Sequence, residues 1–93
     1  MIQSRNQFVR YTFLTEACAA DLSAVLTYMR ENDILPSEIV TDAKVAEGAT
    51  HVVINSTGGK DWHSHAIAAQ FEKCASVRHF GFERLSGASL RAA

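Results

Sequence analysis

Residues 16–39 read EACAADLSAVLTYMRENDILPSEI, and the order of elements on either side of this stretch sets the fold. Leu22, Val25, Leu26 and Met29 recur at i, i+3, i+4 and i+7, the spacing of one apolar helix face. The spacing predicts a helix over 20–32. Asp21 lies near its start, where a carboxylate meets orphan N–H groups and the positive end of the helix dipole. Pro36 lacks an N–H and disfavours helix in the residue before it, so the helix must stop earlier. A strand over 37–45 (SEIVTDAKV) follows, with Pro36 at its entrance, which suits a sheet edge.

Upstream, 8–15 (FVRYTFLT) is rich in β-branched and aromatic residues, with Val9, Tyr11 and Phe13 on one face. Downstream, 47–49 (EGA) reads as a turn and 50–55 (THVVIN) as a short buried strand, broken by STGGKD. A second helix over 62–75 places Ile67, Phe71 and Cys74 on one face, with Asp61 as its N-cap. A last strand spans 76–85 (SVRHFGFERL). The order strand, helix, strand, strand, helix, strand is a split βαβ arrangement. Right-handed crossovers put both helices on one face of a four-stranded antiparallel sheet, with the second and fourth strands at its edges. The fold class is therefore α+β, a ferredoxin-like βαββαβ sandwich. One domain over 8–85 is expected, with an N-terminal extension over 1–7 and a C-terminal tail over 86–93.

A net charge of −1, with nine scattered basic residues, provides no clustered basic face for nucleic acid. No apolar run approaches the roughly 20 residues of a membrane span, and MIQSRNQFVR lacks the apolar core of a signal peptide. A cytoplasmic location is expected. In that setting Cys18 and Cys74 read as two reduced, half-buried thiols.

The pattern from Ala17 to Ile39 resembles the start of an ACT domain, the small regulatory module attached to many enzymes of amino-acid metabolism. In that family a loop of the form D-x-P-G-x-L follows the first strand, and the helix ends in G-x-N-I. Leu22 takes the loop leucine, Val25 and Leu26 the apolar helix pair, and Ile39 the apolar position of the second strand. The resemblance implies ligand contacts at Cys18, Ala19, Ala20, Asp21, Leu35 and Pro36. It also implies pairing with a second copy or with a larger enzyme subunit; small regulatory subunits of acetolactate synthase are similar in outline. The departures are specific: Ala17, Ala19 and Ala20 replace the loop Asp, Pro and Gly, and Asp33 and Leu35 replace the Gly and Asn after the helix. Without that loop glycine a Cβ keeps backbone amides away from a ligand carboxylate. No tight binding of free amino acids is therefore expected in this loop.

Other motifs are weaker. NSTGGKD (55–61) lacks the first glycine of a P-loop and has Asp61 after the lysine, so it reads as a strand-to-helix turn. His63 and His65 are two apart and diverge on a helix, whereas helical zinc ligands sit at i and i+4. His63 is expected to be partly buried beside Ile67, His65 to face solvent, and Trp62 to be an exposed contact residue. No cofactor and no catalytic residue is expected. The function read from the chain is a non-enzymatic regulatory, ligand-sensing or interaction module acting as a homodimer or as the small subunit of a metabolic enzyme. The alternative is a small ferredoxin-like enzyme or metal-binding domain using His63, His79 or Cys74. The dimer expectation rests on apolar residues falling on both sheet faces, with Val53 opposing Val52 and Ile54, Val77 opposing Phe80 and Phe82, and Leu14 opposing Tyr11 and Phe13.

Overall fold

Tyr11 and Phe13 share one face of the first strand and stand directly beside Ile54 and Val52 of the third, and these four residues are all buried in the core. The computed structural model describes residues 7–44 and 48–86. The elements are β1 (Gln7–Thr15), α1 (Cys18–Glu31), β2 (Ile34–Lys44), β3 (Ala49–Gly58), α2 (Asp61–Phe71) and β4 (Val77–Ser86). All pairings are antiparallel and the sheet order is β2-β3-β1-β4, so β2 and β4 are the edges. The ferredoxin-like α+β arrangement is the observed one. Positions 1–6, 45–47 and 87–93, which include nearly all of the expected extension and tail and the start of the EGA turn, lie outside the described residues.

Several boundaries differ from the sequence expectation, each for a local reason. α1 begins at Cys18, two residues early, because Asp21 N–H already bonds to the Ala17 carbonyl at 2.9 Å. It ends at Glu31, and Asp33 turns the chain with φ +58. β2 therefore starts at Ile34, ahead of Pro36, whose missing N–H costs nothing on an edge. β3 runs on through Ser56 and Thr57, which find partners in Val9 and Leu35. Lys60, not Asp61, is the N-cap of α2. Its N–H donates to His63 Nδ1 at 2.7 Å while the His63 N–H donates to the Lys60 carbonyl at 2.9 Å. α2 stops at Phe71, so Cys74 lies in the turn after it; that turn is held by Cys74 N–H on the Phe71 carbonyl and Val77 N–H on the Cys74 carbonyl.

The core joins Tyr11, Phe13, Val25, Met29, Ile34, Val52, Ile54, Ile67, Phe71 and Val77. On α1 the buried positions are Asp21, Val25 and Met29, while Leu22 and Leu26 are only half-buried. The core-facing stripe is thus rotated away from the one read in the sequence. β4 also departs from simple alternation. Its register against β1 shifts between Thr12 and Leu14, and His79 in that stretch has φ +58. The extra residue of this bulge changes the phase of the strand. Val77, Phe80 and Phe82 consequently all pack against the core, and Val77 does not oppose the two phenylalanines as expected. Phe80 fits between Phe13 and Phe71, with ring centroids 5.3 and 5.9 Å away.

Gly58 and Gly59 allow the β3–α2 turn to lie against the α1–β2 turn. Both have positive φ, and a Cβ would come within 2.7 Å of the Asp33 carbonyl oxygen at Gly58 and 2.6 Å of Ile34 Cγ1 at Gly59. Only glycine combines that conformation with that closeness.

Candidate functional site

The connection from β1 to α1 is closed by its own side chains. Thr15 Oγ1 accepts the Ala17 N–H at 2.9 Å and donates to Asp21 Oδ2 at 2.5 Å. Ser76, from the α2–β4 turn, donates to the same oxygen at 2.7 Å. Ser76 also accepts the Glu16 N–H at its carbonyl, and Glu16 pairs with Arg78 at 3.7 Å. A buried carboxylate therefore occupies the first turn of α1, where the helix dipole favours negative charge. An anionic ligand would have to compete with it.

A wide concavity lies along α1. A groove of about 840 Å³ runs between that helix and the start of β2, lined by Leu22, Leu26, Ile34, Leu35 and Pro36, with Ala19, Ser23 and Thr27 along the helix and Arg30 and Asp33 at one end. Of the six residues the resemblance pointed to, only Ala19, Leu35 and Pro36 line it. Cys18 is half-buried against the core, Ala20 is exposed, and Asp21 is turned into the hydroxyl network. Leu22 and Leu26 are the lining residues that periodicity concealed, because an apolar helix position reads as core whether it meets a sheet or a groove. The surplus was visible: four apolar positions make a wider stripe than two buried ones need.

Next to the groove, β2 is an exposed edge. Among the described residues the large exposed hydrophobics are Leu35, Ile39, Val40 and Trp62, and the first three belong to this strand. Its first part is irregular, with Pro36 and a register shift between Pro36 and Glu38. From Glu38 to Lys44 the ladder with β3 is unbroken.

The helix-free face of the sheet carries a polar row across all four strands. Glu38, Asn55, Arg10 and Glu83 stand side by side in register. Arg10 Nε donates to Asn55 Oδ1 at 2.9 Å, Asn55 Nδ2 donates to Glu38 Oε1 at 2.8 Å, and Arg10 reaches Glu83 at 3.9 Å. Within this row the side chains partner one another.

A smaller pocket of about 360 Å³ at the C-terminal end of α1 is lined by Glu31, Asn32, Asp33, Gly59, Lys60, Trp62 and His63. Trp62 is exposed and lies 4.0 Å, ring to ring, from the buried His63. His65 is exposed, edge-on to Phe82. His63, His79 and Cys74 fall at the start of α2, in β4 and in the turn between them. Among the described residues no three His, Cys, Asp or Glu side chains are grouped to hold a metal. Cys18 and Cys74 are both free thiols, and no helix among these residues is long and apolar enough to cross a membrane.

These features, an antiparallel four-stranded sheet with both helices packed on one side, have a counterpart among solved structures. The chain is similar in fold to the C-terminal domain of the MgtC protein from Mycobacterium tuberculosis. The TM-score is 0.73 over 92% of this chain and 96% of that domain, at 12% sequence identity. At that identity the likeness establishes the architecture alone. No family model matches the sequence, and no curated protein matches it.

Proposed function

We propose that this chain is a non-enzymatic, ACT-like interaction module that acts by pairing with a second copy of itself, or as the small subunit of a larger metabolic enzyme. The observation carrying this reading is the concentration of Leu35, Ile39 and Val40 on one edge strand beside an apolar groove. An open edge presents unpaired N–H and C=O groups, and exposed apolar side chains there add a driving force for strand pairing. The internal closure of the β1–α1 loop by Thr15, Asp21 and Ser76 supports the same reading from the other direction. That loop is a connection, and the interaction surface lies on β2 and the outer side of α1.

The β4 bulge removes one part of the case for a partner over the helix-free face, since Val77 belongs to the core. The β2 edge carries the case instead. Light scattering across a dilution series tests it: a mass of two chains at micromolar concentration is expected. One chain throughout, with no partner enzyme found, would remove the reading.

A further inference from the structure

We infer that the small pocket between the end of α1 and the start of α2 binds a guanine base, presented as the free nucleoside. The inference does not rest on the self-pairing proposed above.

Its starting point is His63. This side chain is 6% exposed, and its Nδ1 accepts the Lys60 N–H at 2.7 Å. A ring nitrogen that accepts a hydrogen bond carries no proton, so the imidazole N–H sits on Nε2. Among the described residues no group accepts from Nε2. A buried donor without an acceptor is costly, and His63 lines a pocket of about 360 Å³. What the pocket lacks is an acceptor, which a ligand can supply.

The other lining residues define the rest of that ligand. Trp62 is 58% exposed, with its ring 4.0 Å from that of His63, and provides a flat face for stacking. Glu31 and Asp33 come from the α1 side, where the helix dipole is negative, and both are exposed. Asp33 is the better held. Its φ is +58, its N–H donates to the Arg30 carbonyl at 3.3 Å, and its own carbonyl packs against Gly58. Among the described residues nothing hydrogen-bonds or ion-pairs with its carboxylate.

Proteins read an unpaired base by its Watson–Crick edge and by stacking on an aromatic ring. The edge that fits here has an acceptor for the His63 N–H beside two N–H donors for the two oxygens of one carboxylate. Among the common bases guanine alone has that order: carbonyl oxygen, ring N–H, exocyclic amino group. Adenine, cytosine and uracil each lack the adjacent pair of donors. Two carboxylates against the single ammonium of Lys60 leave the lining net negative, which disfavours a phosphate. The volume is also at the small end for ligand sites. A nucleoside suits both facts better than a nucleotide.

Trp62 is the only tryptophan in the chain, so its indole N–H gives a single signal in a nitrogen–proton correlation spectrum. Guanosine is expected to shift that signal saturably and to protect the His63 Nε2–H from exchange with solvent. Adenosine is expected to bind about tenfold more weakly, because it leaves a polar group of the site unpaired. Guanosine monophosphate is expected to bind no more tightly than guanosine. Asn adopts the left-handed backbone readily, so Asp33→Asn should fold as the parent does and weaken guanosine by about tenfold. No saturable shift up to the solubility limit of guanosine, or equal affinity for adenosine, overturns the inference. So does an Asp33→Asn variant with a parent-like spectrum that binds guanosine as tightly as the parent. Tighter binding of the monophosphate would make phosphate the anchor, and overturns it as well.

Discussion

The hydroxyl of Thr15, the last residue of β1, donates to the carboxylate of Asp21 in the first turns of α1 at 2.5 Å, and both side chains are buried. Ser76 donates to the same carboxylate oxygen, so one acidic side chain ties together a strand, a helix and the turn before β4. Asp21→Ala is expected to lower stability by about 3 kcal/mol, because two hydroxyls lose a charged acceptor in a buried site. Urea denaturation measures it, and a loss under about 1 kcal/mol would mean that water replaces the carboxylate at little cost.

The same carboxylate governs what the β1–α1 loop can hold. A thermal-shift screen of the twenty amino acids is expected to show no stabilisation through this loop, where a ligand at 100 times its Kd would add about 2.7 kcal/mol. A shift from any amino acid that Asp21→Asn strengthens would show that the site is a receptor held shut by Asp21. A shift that Leu22→Ala abolishes would place the ligand in the groove instead.

On α1, Met29 and Val25 are fully buried while Leu26 is half-buried along the groove. Met29→Ala is expected to cost about 3 kcal/mol and Leu26→Ala about 1 kcal/mol. A Leu26 fully buried in the apolar stripe would instead lose about 2–5 kcal/mol. Denaturant midpoints of the two variants compare the two faces. Equal losses would mean that the groove is closed in solution.

Element order and type were legible because each rests on local signals: the period of Leu22, Val25 and Met29, the alternation of Tyr11 and Phe13, and the punctuation by Pro36 and the Gly58-Gly59 pair. Their order then leaves few right-handed topologies. The site was less legible, since its features depend on contacts distant in sequence. Nothing near Asp21 announces Ser76, 55 residues away. Which side of the apolar stripe on α1 meets the sheet depends on how the helix is seated, and Leu22 and Leu26 have the same composition in either case. His79 carries no turn signature, so the bulge and the phase of β4 were invisible.

That bulge yields its own expectation. A non-glycine residue at φ +58 costs roughly 1–2 kcal/mol, and glycine relieves this while adding about 0.5–1 kcal/mol of chain entropy to be lost on folding. His79→Gly should therefore stabilise the domain by about 0.5–1 kcal/mol. Thermal unfolding at matched concentration checks it. Destabilisation would show that the imidazole makes a contact worth more than the backbone strain.

Alkaline pH isolates the last buried group. The Tyr11 ring is enclosed by Phe80 and Phe82, with centroids 6.2 Å away in each case, and its hydroxyl lies 3.3 Å from Ser64 Oγ. Burial raises the phenol's pKa above its ordinary value of 10.0, and the Ser64 hydrogen bond and the nearby Arg84 charge offset only part of that rise. The folded state thus holds the Tyr11 proton more tightly than the unfolded chain does. The resulting stability is fully present below about pH 10 and is lost as the pH climbs through the raised folded-state value. Urea midpoints taken from pH 9 to pH 12 should fall above pH 10, and Tyr11→Phe should reduce that fall. At neutral pH the same variant should cost only about 1 kcal/mol, the loss of one hydroxyl pair with Ser64. An unchanged alkaline slope in Tyr11→Phe would mean that the phenol reaches solvent when it ionises, and that the aromatic cluster around Phe80 opens before the domain does.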